Sequence, residues 1–134
     1  MRCTRVSTLP CMFLIAVLAM APAFGRSAVE QDKIDYLIAA IADLHDVRFI
    51  RNGNEYDAQR AVDHLRLKLR YAGDRIVTAE DFIVDCATGS SISGEPYLIK
   101  FPDGRITPVA MFLRGKLAVY RTHENNSISA PGDR

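Results

Sequence analysis

No apolar run in this sequence is long enough to span a membrane comfortably. The longest, Leu9–Ala23, is 15 residues, where a bilayer core needs about 20. It follows Arg2 and Arg5 and ends in Ala21-Pro22-Ala23, with Ala23-Phe24-Gly25 as a second small-residue site. That order of positive, apolar and small residues reads as a secretory signal over 1–25, cleaved near Ala23 or Gly25. Cys11 follows Leu9-Pro10 and so lacks a lipobox. The expectation is a periplasmic protein with no membrane attachment after cleavage. Charge of one sign is lacking as well. Removing Arg2 and Arg5 takes the 17 basic residues to 15, against 16 acidic ones, a mature net charge of about −1. Such a balance gives no electrostatic pull toward nucleic acid. Cysteine is scarce: Cys3 and Cys11 leave with the leader, and Cys86 alone permits no intramolecular disulfide. Its apolar neighbours Phe82 and Ile83 mark it as a buried small hydrophobe. Neither an internal repeat nor zinc-type spacing occurs, and no metal or cofactor is expected.

What remains is one domain over 26–121, with a disordered tail expected over 122–134, rich in Asn, Ser, Pro and Gly. Ile34, Leu37, Ile38, Ile41 and Leu44 form one apolar stripe, which predicts a helix from about Val29 to His45. Ser27 and Glu30 have capping-box spacing at its start. Asn52-Gly53 is a turn signal. Asn54 is expected to cap a second helix, Glu55 to Ala72, buried along Ala58, Ala61, Val62, Leu65 and Leu69 and ended by Gly73. Thr78 caps a third, short helix that stops near Gly89. Tyr97–Phe101 reads as a strand, Pro102-Asp103-Gly104 as a tight turn, and Arg105-Ile106 as the return. Thr107-Pro108 has the form of a helix start, with the fourth helix running to about Arg121. The fold class is α+β: about four helices packed with one small antiparallel hairpin.

Three segments are candidates for chemistry. On the second helix, Asp57, His64 and Lys68 share one flank, with His64 and Lys68 a turn apart. His64 beside Lys68 has the position of a general base, or of a boundary histidine with Lys68 reaching solvent. A nearby ammonium keeps the imidazole neutral. The loop Ser90-Ser91-Ile92-Ser93-Gly94 offers hydroxyls and backbone N–H groups suited to an anion, a peptide carboxylate or a partner's backbone. The same hydroxyls can instead cap the preceding helix. Arg51-Asn52-Gly53 presents a guanidinium for a carboxylate or phosphate. Tyr56 and Tyr97 flank the two loops as half-buried aromatics.

These motifs also occur together elsewhere. Arg51-Asn52-Gly53 with Tyr56, His64-Leu65 with Lys68, and Ser90-Ser91 with Ser93-Gly94 and Pro96-Tyr97 resemble an uncharacterised family of small exported proteins of Gram-negative bacteria. The likeness covers about residues 30 to 121. Members often carry a cysteine near Val47 and a tryptophan at the position of Phe112, and both replacements here are apolar. The resemblance implies periplasmic residence and supplies no activity. The resulting expectation is a non-enzymatic binding or interaction module. Its surface comprises Arg51, Asn52, Tyr56, His64, Lys68, Ser90, Ser91, Ser93, Gly94 and Tyr97, and its partner is a periplasmic protein, peptide or small ligand. Two alternatives stand beside it: a small hydrolase or transferase using a loop serine with His64, and an inhibitor or immunity protein.

Overall fold

A computed structural model describes residues 25–129. The expected leader lies outside the described residues, apart from its last position. Among the described residues, no helix is long and apolar enough to cross a membrane.

Helix α1 (Ala28–Ala42) begins at Ser27, whose hydroxyl accepts the Glu30 N–H at 3.2 Å. Glu30 does not complete the capping box. Its carboxylate accepts the N–H of Ala79 at 2.7 Å and the Lys33 ammonium at 3.0 Å. Lys33 lies 3.6 Å from Glu124 as well. A local cap has thereby become a tertiary link between the first, third and fourth helices. Ile34, Leu37, Ile38 and Ile41 are buried along the expected stripe.

The chain after α1 departs from the expected pattern. Strand β1 (Arg48–Arg51) turns back into β2 (Asn54–Tyr56), with Arg51 paired to Asn54 and Phe49 to Tyr56. Asn52 and Gly53 form the two-residue turn at φ values of 50° and 75°, the left-handed conformation such hairpins require. Asn54 is therefore a strand residue and not a helix cap. Helix α2 (Ala58–Ala72) starts later, with the Asp57 carboxylate accepting the Arg60 N–H at 2.8 Å. Gly73 ends it at φ 55°, as its type predicts.

Thr78 and Asp81 make a reciprocal capping box at the start of α3 (Ala79–Phe82). The chain continues as a π-helical turn, Ile83–Ala87, which buries Ile83, Cys86 and Ala87. Burial pushes the Cys86 thiol pKa up, so it serves as a small hydrophobe.

Strands β3 (Leu98–Lys100) and β4 (Ile106–Pro108) form the expected second hairpin, with Gly104 at φ 85° in its turn. The sheet has four antiparallel strands in the order β2-β1-β3-β4. One expected hairpin is thus two hairpins joined through β1 and β3. Thr107 and Pro108 lie in β4 and not at a helix start. Pro108 is tolerated there because an outer strand needs no donor on its free side.

Helix α4 (Val109–Ser129) runs eight residues beyond the expected end at Arg121, which corrects the expected disorder of 122–129. Thr122 and Ser127 hydroxyls donate to carbonyls four residues back, which satisfies them within the helix. Tyr120 meets Tyr36 of α1 with ring centroids 5.0 Å apart.

Phe49, Ile99 and Tyr97 share one sheet face and enter a core with Phe82, Leu113, Leu117 and the α1 stripe. Burial of Glu30 raises its pKa, but the Ala79 N–H and the Lys33 ammonium outweigh this and hold it below 4.5. Because the native value is depressed, this stabilisation is present above pH 4.5 and lost as pH falls through the native pKa. Glu30→Ala is expected to cost about 2 kcal/mol, read by urea unfolding at pH 7, and to narrow the difference between pH 7 and pH 3. An unchanged midpoint would show that the Ala79 N–H is as well served by water.

Candidate functional site

The β1–β3 register pairs Ile50 with Leu98. One step further along the ladder places Arg51 across from Tyr97, on the face that α2 covers. His64 descends from α2 between them. The Arg51 Nη1 lies 2.8 Å from His64 Nδ1 and 3.2 Å from Nε2, and Nε2 lies 3.0 Å from the Tyr97 hydroxyl oxygen. A guanidinium only donates. Whichever ring nitrogen accepts from Arg51 must be unprotonated, and the ring tautomer sets the direction of the contact with Tyr97. The imidazole and phenol rings meet edge to face, with centroids 5.6 Å apart.

Electrostatics agree with a neutral ring. Burial first, then Arg51 and Lys68, push the His64 pKa below 6.5. Burial raises that of Tyr97, which keeps the phenol protonated. Lys68 donates to the Gly89 carbonyl at 2.9 Å and sits 5.2 Å from the Tyr97 ring centroid. Burial lowers its pKa. Lys68 thus binds the start of the serine loop and does not extend into solvent.

This cluster borders a narrow cavity of about 40 Å³, with Phe49, Leu65 and Val109 as apolar walls. Tyr56 closes one side and carries two guanidiniums near its ring, Arg51 at 5.2 Å and Arg60 at 5.9 Å. No carboxylate lines the cavity, and among the described residues neither Arg51 nor Arg60 has an ion-pair partner.

The sequence candidates fall into two groups. Arg51, Tyr56, His64 and Tyr97 line the cavity, and Lys68 braces it behind Tyr97. Asn52, Ser90, Ser91, Ser93 and Gly94 do not line it. Ser93 donates to the Asn52 side chain at 2.7 Å, tying the loop to the hairpin tip. The buried Ser90 hydroxyl accepts the N–H groups of Ile92 and Ser93, each at 3.3 Å. Gly94 supplies a φ of 75°, and Ser91 is exposed. Gly89 is required by crowding: a Cβ there would stand 2.6 Å from the Glu95 carbonyl oxygen. Asp57, on the expected flank, is committed to capping α2. Arg60 and the apolar walls were outside the expected set. Arg60 lies one helical turn before His64, and that spacing is the signal in the sequence that places it.

Residues 28–121 match the family of unknown function DUF5329. An uncharacterised protein of Salmonella typhimurium, YfeK, is 42% identical over 85 residues, which span 63% of this chain and 71% of that protein. No solved structure matches.

The neutral imidazole has a consequence for stability. Its native pKa is depressed, so its contribution is present above pH 6.5 and lost as pH falls through the native pKa. His64→Gln, which keeps a polar group without titrating, is expected to flatten the melting temperature between pH 7 and pH 5 relative to wild type. Identical slopes in both proteins would show that the ring charges without cost.

Proposed function

This chain belongs to the family of unknown function DUF5329, and on that premise we propose that it is a non-enzymatic recognition module of the periplasm whose binding site is the Arg51–His64–Tyr97 cavity. The observation that carries the reading is a small apolar-walled cavity bordered by Arg51, His64 and Tyr97, from β1, α2 and the start of β3, with no carboxylate among its lining residues. Small ligands are ordinarily held by few convergent polar groups set in apolar walls. Export is supported by the amino-terminal pattern of Arg2 and Arg5, the uncharged run and Ala21-Pro22-Ala23.

The arrangement speaks against a serine hydrolase. The His64 ring nitrogens are engaged by Arg51 and Tyr97. Among the described residues, no loop serine is hydrogen-bonded to the ring, and the Ser90 and Ser93 hydroxyls are used within the loop and the hairpin tip. A nucleophile needs a base within hydrogen-bond reach.

Amide chemical-shift mapping with a small-fragment library of mixed charge tests the site. Shifts confined to Arg51, Tyr56, His64 and Tyr97 with their neighbours are expected, without turnover of ester substrates. Hits confined to another face, or ester hydrolysis abolished by Ser91→Ala, would overturn the reading. For location, the protein is expected in the osmotic-shock fraction with its amino terminus at residue 24 or 26. Retention in the cytoplasm with residue 1 intact would refute export.

A further inference from the structure

Helices α1 and α2 lie side by side and antiparallel. Gln31, near the start of α1, lines one hollow with Arg70 at the end of α2, and Ala42 lines another with Ala58 and Gln59. One turn on along α1 and one turn back along α2 bring Asp35 level with Arg66, while Asp32 stands level with the turn that carries Arg70. All four side chains are exposed. Among the described residues none of them forms an ion pair, and their one side-chain hydrogen bond is the Gln31 amide donated to Asp35 at 3.0 Å. The helix pair thus presents an acidic row and a basic row abreast. Ala28 and Ala39 are exposed along the acidic row. Asp63, the one acid within α2, stands level with Ala39.

Neither sign alone complements this face. An anionic bilayer or polyanion meets Asp32 and Asp35 beside the arginines, and a cationic partner meets the arginines. The complementary surface carries both rows in the opposite order. We propose that the outer face of α1 and α2 docks a second copy of this chain. A two-fold axis parallel to the helices sets α1 of each copy over α2 of the other and keeps their levels. Asp35 then meets Arg66 of the partner subunit, and Asp32 comes within reach of Arg70 of the partner subunit. An axis across the helices would stack α1 on α1 and set acid against acid, so the charges select one arrangement. Each helix has 15 residues, which makes a face about 22 Å long and about 20 Å wide, at the small end of specific interfaces. Exposed ion pairs each add little. The dimer therefore forms reversibly and dissolves in salt.

The test is sedimentation velocity of the purified protein at about 0.3 mM, a range that populates weak complexes. A dimer is expected at about 0.02 M salt and a monomer at about 0.5 M, as the screening length falls from about 20 Å to about 4 Å. Asp32→Lys with Asp35→Lys makes both rows basic, and Arg66→Glu with Arg70→Glu makes both acidic. Each double variant alone is expected to be monomeric in low salt. An equimolar mixture of the two restores acid over base on both sides of the axis and is expected to sediment as a heterodimer. Rescue of one variant by the other separates lost docking from lost folding. Neither variant touches the cavity residues, so the outcome leaves the recognition reading to its own test.

A wild-type protein that stays monomeric in low salt would overturn the proposal. A dimer insensitive to salt, or one that persists in either double variant, would overturn it as well. So would two variants that remain monomeric when mixed.

Discussion

The antiparallel pairing of β1 with β3 is the constraint on which the rest of this structure depends. These strands are central in the sheet, yet β2, α2, α3, the π-helical turn and the serine loop lie between them in the chain. Their register of Phe49 with Ile99 and Ile50 with Leu98 has two effects at once. It buries Phe49 and Ile99 against the helices. It also brings Arg51 level with Tyr97, under His64. Because strand side chains alternate between faces, a slip of one residue would turn one strand over, taking Arg51 with Phe49, or Tyr97 with Ile99, away from α2. Core and site are set by the same register.

The division of labour follows from composition. With Cys86 buried as a free thiol, burial of apolar surface is the main source of cohesion. Most ion pairs are half-exposed, as with Lys100–Glu55 and Arg114–Glu80, and such pairs contribute little. Glu30 is the exception, because it joins α1 to the start of α3 and to Lys33. At the cavity the logic reverses. Among the described residues, Arg51 and Arg60 lack carboxylate partners, and His64 is held neutral between cations. That uncompensated charge supports the proposed site.

Much of this was legible from the sequence where the signals are local. The stripe from Ile34 to Ile41, the caps Ser27 and Thr78, the C-cap Gly73 and the turns at Asn52-Gly53 and Gly104 lie where their residue types predict. The first hairpin was obscured because β1 and β2 are only four and three residues long, too short for a clear alternation, and Asn54 resembles a cap as much as a strand residue. Thr107-Pro108 has the form of a helix start and is an edge strand. The helix through Ser129 was hidden by a polar composition that Thr122, Ser127 and Glu124 turn to local bonding and a link to Lys33. Of the site, His64 and Lys68 are visible as a helical pair. The meeting of Arg51 with Tyr97 is a property of a long-range register, which no local pattern encodes.

The protonation of one ring tests the central claim most directly. Long-range ¹H–¹⁵N correlation of the His64 imidazole at pH 7 distinguishes its two nitrogens. A neutral ring is predicted, with one unprotonated nitrogen facing Arg51. Arg51→Gln should disturb the signal of that nitrogen. A ring doubly protonated at pH 7 would contradict this, because the Arg51 guanidinium would then have no acceptor on it.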